Sequence, residues 1–172
     1  MQTEFWDIYD NTGNLTGAIK SRNSALLCGE FHLVASVWVI NPRGEILIQK
    51  RSTTKPVHPG MWSITGGAAH AGESSERACV RETAEEIGLR LDVSDLELLY
   101  RHFGADTIFD DYITVRGLPP DRFVLQPDEV CEIKWVGADE VKKLFNDGLF
   151  VFDKFTLFDR VTDYIGSLNV TA

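Results

Sequence analysis

The stretch Arg81-Glu82-Thr83-Ala84-Glu85-Glu86-Ile87-Gly88 crowds three carboxylates in behind an arginine. On a helix, steps of three and four residues bring Glu82, Glu85 and Glu86 onto one side. Like charges at that spacing repel by a few tenths of a kcal/mol per pair, roughly. The C-terminal end of a helix, where the macrodipole is negative, disfavours them further. A hard divalent cation, Mg²⁺ or Mn²⁺, would relieve both penalties, since all-oxygen ligand sets suit such ions. Arg81, one turn before Glu85, is close enough to hold that side chain in place. The competing explanation is a solvated acidic face, the usual meaning of a charge run. The position of the acids at the helix end, and the Gly-rich stretch ahead of them, favour the cation.

The element that must present these acids is a helix from Ser74 to Ile87. Its periodicity predicts Val80, Thr83, Ala84 and Ile87 on an anchoring face, with the glutamates opposite. Gly88 suits a left-handed C-cap, so the helix stops directly after the cluster. Upstream, "MWSITGGAAHAGE" reads as a Gly-rich approach to that helix, preceded by a loop from Thr53 to Gly60 with Pro56 and Pro59. "FHLVASVWVI" is a β-branched run predicted as a central strand. The turn Asn41-Pro42-Arg43-Gly44 predicts "EILIQKRS" as its partner. "EFWDIYDNTGNLTGAIK" predicts a hairpin. "LELLYRHFG", "DDYITVRG" and "EVCEIKWVG" predict three further strands, and "ADEVKKLFNDG" and "TLFDRVTDYIGSL" two more helices. The order lacks a β-α-β rhythm, which points to an α+β or layered α/β/α domain.

The 172 residues suit a single domain, 1–172, with a hairpin extension over 1–30. A net charge of −9 without a long Lys/Arg run excludes a nucleic-acid polymer as partner. No apolar run approaches membrane-span length, and "MQTEFWDIYD" lacks the features of a secretory signal. The expectation is a cytoplasmic protein. Cys28, Cys79 and Cys131 are odd in number and widely spaced, which reads as reduced thiols rather than disulfides or a zinc site.

From Gly67 to Leu89, "GAAHAGESSERACVRETAEEIGL" resembles the Nudix box, G-x5-E-x7-R-E-U-x-E-E-x-G-U, where U is a bulky aliphatic residue. Gly67, Glu73, Arg81, Glu82, Glu85, Glu86, Gly88 and Leu89 match. Thr83 departs at the first U position, where a minor packing difference on the buried face is expected. The resemblance implies a Nudix-type α/β/α sandwich with a mixed β-sheet. It implies a Mg²⁺-dependent hydrolase of nucleoside diphosphates linked to another moiety. Glu82, Glu85 and Glu86 match the metal-binding acids, with Gly67 at the head of the box beside them. Arg81 matches the orienting arginine and Glu73 the loop acid, and Glu85 is also a candidate for the base. Many members carry one more glutamate outside the box, and Glu129 in "QPDEVCEIKWV" resembles it, with Asp128 and Glu132 as neighbours.

Arg51 and Lys55 are candidates for phosphate binding, Arg51 in bidentate fashion; strand-end charges in solvent are the alternative. Asp110 and Asp111 are second candidates for the extra acid, although such a pair more often opens a turn. His58 and His70 read as loop residues. Trp6, Phe103, Phe109 and Tyr112 could stack a base or lie in the core. "WDIYDNTGNLTG", "GEILIQKRS" and "HPGMWSITGGAAHAGE" more loosely resemble the isopentenyl-diphosphate isomerase branch. That isomerase uses a cysteine where this chain has Gly66 and Gly67, and several histidines where this chain has four in all. A hydrolase is therefore expected over an isomerase. A non-catalytic nucleotide-sensing domain is the other alternative, but such domains typically lose box acids and none is lost here. The expected partner is a small nucleotide or diphosphate substrate. The hairpin edge offers a place for a second copy, giving a homodimer.

Overall fold

The computed structural model describes residues 3–119, 122–151 and 155–170. Its centre is β3 (His32–Ile40), the β-branched run, buried on one face throughout and on both faces from Val37 to Ile40. Leu33, Ala35, Val37 and Val39 enter one core cluster while Trp38 and Ile40 enter the other, as a two-residue alternation requires. β8 (Thr107–Val115) runs parallel to β3 from His32↔Thr107 to Ile40↔Val115, and β7 (Glu97–Phe103) pairs antiparallel on β8.

The other edge of β3 is divided between two strands. β4 (Ile46–Arg51) meets it only at Ile40↔Ile46, and β6 (Thr65–Ala68) takes the stretch from Val34 to Val37. The turn from Asn41 therefore connects β3 to β4 but does not make them extended partners, contrary to the sequence expectation. β4 peels away to pair with β9 (Val130–Val136) and with the two-residue β5 (Trp62–Ser63). The reason lies in the Gly-rich stretch, read from sequence as an approach to the helix, in which β6 forms. A Cβ at Gly66 would stand 2.5 Å from the Ala35 carbonyl oxygen, so only glycine lets β6 lie this close and occupy the edge. The sheet forks, and Gln49 of β4 and Thr65 of β6 meet across the fork.

α1 (Ser75–Ile87) covers one face, with Ala78, Cys79 and Ile87 in its core. α2 (Ala138–Asn146) and α3 (Phe155–Val170) cover the other, Val141, Phe158 and Val161 packing with Trp38, Ile46, Ile48 and Ile113. This is the layered helix–sheet–helix domain expected. β1 (Phe5–Tyr9) and β2 (Leu15–Ser21) form a separate two-stranded sheet. It is fastened to the body by paired Tyr9 and Phe31 backbone bonds (2.8 and 2.9 Å) and by Trp6 stacked on His32 at 4.0 Å. It also reaches the approach to α1, where Gly72 N–H donates to Asp7 (2.6 Å). Among the described residues no helix is long and apolar enough to cross a membrane.

Candidate active site

α1 opens on Ser74, whose hydroxyl accepts from the Arg77 N–H, and closes on Gly88 at φ 69°. The buried arc is rotated from the one the periodicity suggested. Glu86 is only 5% exposed, whereas Ala84, expected inward, is exposed. The cause is the chain around residues 124–126, which folds back over the helix end. Val124 N–H donates to Ile87 O (3.0 Å) and Gln126 N–H to Glu86 O (2.9 Å). Thr83, the departure within the box, is fully buried and returns its hydroxyl to Cys79 O at 2.8 Å, so no polar group is left unsatisfied there.

Arg81 is the hub of the acidic cluster. Its guanidinium donates to Glu73 (3.1 and 3.0 Å), Glu82 (2.7 Å), Glu85 (3.2 Å) and the Ala68 carbonyl (3.0 Å). Burial pushes the Glu73 carboxyl up, but hydrogen bonds from Arg81 and the His70 N–H outweigh it and hold the group below its usual range. For Glu82, burial wins over Arg81 and the carboxyl is raised. Glu86 is raised furthest, to about 7, by burial. A hydrogen bond from Gln49 at 2.8 Å opposes that rise, while the charges of Glu82 and Glu129 add to it. Gln49 is itself oriented by Thr65, whose hydroxyl donates to its carbonyl oxygen at 3.0 Å.

Gly67, Arg81, Glu82, Glu85, Glu86, Glu129, Arg51 and Lys55 all line one cleft of about 400 Å³. The partnerships inside it were not foreseen. Lys55 is ion-paired to Glu129, so the expected phosphate contact and the expected extra-box acid neutralise one another. Arg51 donates through Nε and Nη2 to the Val57 carbonyl (3.2 and 3.1 Å). The cleft also takes in Glu4, Arg22, His70 and Gln126. Arg22 pairs with Glu4 at 2.6 Å, bringing the N-terminal hairpin to the rim. Sequence reasoning missed Gln49, although a polar residue inside the apolar run "EILIQ" was a signal; nothing in the sequence marked Arg22 or Glu4.

Other candidates fall elsewhere. Asp110 and Asp111 do not form a turn, because β8 begins three residues earlier than predicted and carries both in its interior. Asp110 binds Arg101 through two 2.6 Å bonds, and Asp111 accepts from Ser36 on the sheet face opposite α1. Tyr112 is core, its hydroxyl 2.7 Å from that of Ser75. Trp6 is occupied by His32, and Phe103 meets Phe31 edge-on. His58 lies in an exposed loop at φ 52°, whereas His70 does stay at the cleft, 4.0 Å from Glu4.

The donor set fits a hard divalent cation: carboxylate oxygens, two of them held partly buried, with no thiolate in the lining and the one imidazole, His70, beside Glu4. Gly67 belongs to that fit. A Cβ there would stand 2.2 Å from Glu82 Oε1, so the glycine makes room for the carboxylate. Among the described residues no three acidic, His or Cys side chains already converge on one cation position. Arg81 Nη1 instead bridges Glu82 and Glu85 and supplies the positive charge between them.

The profile of the NUDIX domain matches residues 30–155. An uncharacterized Nudix hydrolase of Listeria monocytogenes is 34% identical over 149 residues, spanning 86% of this chain and 88% of its own. An isopentenyl-diphosphate Delta-isomerase of Cutibacterium acnes is 30% identical over 154 residues, 82% of this chain and 77% of its own. Among solved structures, DR0079 from Deinococcus radiodurans superposes with a TM-score of 0.73 at 19% identity, over 93% of this chain and 98% of its own. The NUDIX domain of Shewanella oneidensis NrtR, complexed with ADP ribose, superposes with a TM-score of 0.64 at 16% identity, over 78% and 88%. These two share the fold.

Proposed function

Because this chain belongs to the Nudix family, we propose that it is a Mg²⁺-dependent hydrolase that cleaves a diphosphate bond in a nucleoside diphosphate linked to another moiety. The observation that carries this reading is the convergence of the box acids, Arg81, Glu129, Arg51 and Lys55 on one cleft. Glu82, Glu85 and Glu86 would hold the cation, with Gly67 leaving space for Glu82. Mn²⁺ would fit the same donors. When bound, the ion would neutralise phosphate oxygens and make a water more acidic. Glu129 would take the proton of the attacking water, with Glu85 the alternative, and Arg51 and Lys55 would receive the phosphates. Arg81 orients the acids around it.

The isomerase relatives keep a second reading in view, and the residues weigh against it. Gly66 has no room for a side chain against the Ala35 backbone, and glycine stands at both Gly66 and Gly67, so no thiol is present at that point of the cleft. Cys79 is buried in α1, and Cys28 and Cys131 are exposed outside the cleft lining. A purely sensing role is disfavoured by the intact acidic set. The free cysteines support a cytoplasmic setting. A homodimer would use the outer edge of β2, where Leu15 and Ile19 are exposed.

The test is a screen of nucleotide sugars, dinucleoside polyphosphates, coenzyme diphosphates and free nucleoside diphosphates, with Mg²⁺ and with chelator. Product formation from isopentenyl diphosphate is followed alongside. Cation-dependent phosphate or nucleotide release is expected. Allylic product without hydrolysis would overturn the reading.

A further inference from the structure

Of the three glutamates proposed to hold the cation, Arg81 binds two. Its guanidinium donates to Glu82 (2.7 Å) and Glu85 (3.2 Å), and Glu86 is left to a different donor, the side-chain amide of Gln49 at 2.8 Å. Gln49 is an unexpected residue for its place. It is 2% exposed, follows three buried apolar residues on β4 and stands opposite Ile133 of β9. A carboxamide buried there is costly unless its groups are paired. Both ends are paired: the nitrogen donates to Glu86 Oε2, and the oxygen accepts from the buried Thr65 hydroxyl at 3.0 Å. Neither Gln49 nor Thr65 lines the cleft, so the pair stands behind Glu86.

Two features set what this chain of bonds does. The first is direction. An amide carries a donor at one end and an acceptor at the other, and only the donor end suits a carboxylate. Thr65 fixes the side chain by its oxygen and so presents the nitrogen to Glu86. The second is charge. An arginine or lysine in the place of Gln49 would neutralise Glu86 and compete with a cation for it. A neutral amide orients the carboxylate and leaves its charge in place. Glu86 Oε1 accepts no hydrogen bond among the described residues, and Glu86 lines the cleft. One oxygen is held from behind while the other keeps its lone pairs for a ligand.

We propose that Gln49 and Thr65 are positioning residues for the cation: Thr65 anchors the Gln49 amide, and the amide fixes the Glu86 carboxylate without neutralising it. The inference rests on the divalent-cation reading of the cleft and adds two buried residues that touch neither ion nor substrate. The fork in the sheet then has a functional consequence. β4 and β6 each pair with other strands, and these two side chains span the gap between them behind the end of α1.

Mg²⁺ binding is measured by calorimetry on the substrate-free protein, so no turnover enters the readout. Gln49→Met keeps the volume and removes both bonds. It is expected to weaken Mg²⁺ binding by about 10–100-fold, the usual effect of losing the partner that orients a metal-binding side chain. Thr65→Val removes the anchor alone and is expected to weaken binding less, by roughly threefold to tenfold. Thr65→Ser keeps the hydroxyl and is expected to bind within about twofold of wild type. The double variant separates a relay from packing: if Thr65 acts through Gln49, Thr65→Val has no further effect in the Gln49→Met background. Should Gln49→Met fail to fold, Thr65→Val against Thr65→Ser carries the test. Wild-type affinity in Gln49→Met or Thr65→Val would overturn the proposal. So would losses that multiply in the double variant, or equal losses in Thr65→Ser and Thr65→Val. A wild-type protein that binds no Mg²⁺ would overturn the cation reading and this proposal with it. Weakened binding in the variants of a protein that fails the hydrolysis screen would support the pair and sink only the hydrolase reading.

Discussion

Glu86 is the residue whose chemistry the fold alters most. Its carboxyl is buried beside Glu82, has a neutral amide as its hydrogen-bond donor, and is raised to about 7. Between its ordinary value and 7, the folded protein holds a proton that the unfolded chain releases. Stability therefore falls as pH rises through that window, and the loss is complete above it. Glu86→Gln should stabilise the cation-free protein at pH 8, by at most on the order of 3 kcal/mol, and change little at pH 4.5. Urea unfolding in chelator at the two values checks this, and equal effects would mean that Glu86 is not strained by its burial. The same variant should lose most hydrolysis while folded. For Glu129→Gln, kcat should fall on the order of 10²–10⁴-fold with KM similar, since positioned proton transfer acts in the transition state. Full turnover in Glu129→Gln would remove Glu129 from the reaction. Arg81, Glu82, Glu85 and Glu86 were legible because charge at fixed helical spacing is visible in a sequence, whereas Glu4 and Arg22 of the same cleft carried no such mark. Gln49 and Thr65 were not legible, because their bond joins two strands that meet only through the fork.

At the scale of elements, α1 was readable to within a residue, cap to cap, while its buried arc was not. Helical periodicity reports one packing surface, and here a second one, the chain around Val124 and Gln126, covers the end of the helix. The central strand was likewise visible in its β-branched run, yet the pairing of β4 was hidden. Edge occupancy depended on Gly66, and glycine in a sequence signals freedom rather than a particular neighbour. Gly88 offers a test of this level. Its φ of 69° and the Val124 atoms 3.0 Å from a would-be Cβ make Gly88→Ala unfavourable. A loss of about 1–2 kcal/mol is expected from the left-handed backbone alone. The denaturant midpoint measures it, and an unchanged midpoint would show that the cap contributes nothing. Gly67→Ala acts differently, since the methyl meets the Glu82 carboxylate rather than backbone. It should weaken cation binding with only a small loss of stability.

Across the whole molecule, a chain of net charge −9 collects its acids at the end of one helix and approaches them from three directions: β4, the loop to β9, and the N-terminal hairpin. Layering and fold class followed from element order. The fork in the sheet did not, because it arises from strands distant in sequence. On the proposed function the acidic cleft is a divalent-cation site. Ligands that bind only the folded state raise its stability by mass action, about 2.7 kcal/mol at a hundred times the dissociation constant. For a domain of this size that corresponds to roughly 5–10 °C in melting temperature. Thermal unfolding of wild type, Glu82→Gln and Glu86→Gln, each with saturating Mg²⁺ and with chelator, reads the claim directly. A rise of that order in the wild type, and little or none in the two variants, is the predicted result. Equal rises in all three proteins would place the cation elsewhere and contradict the account.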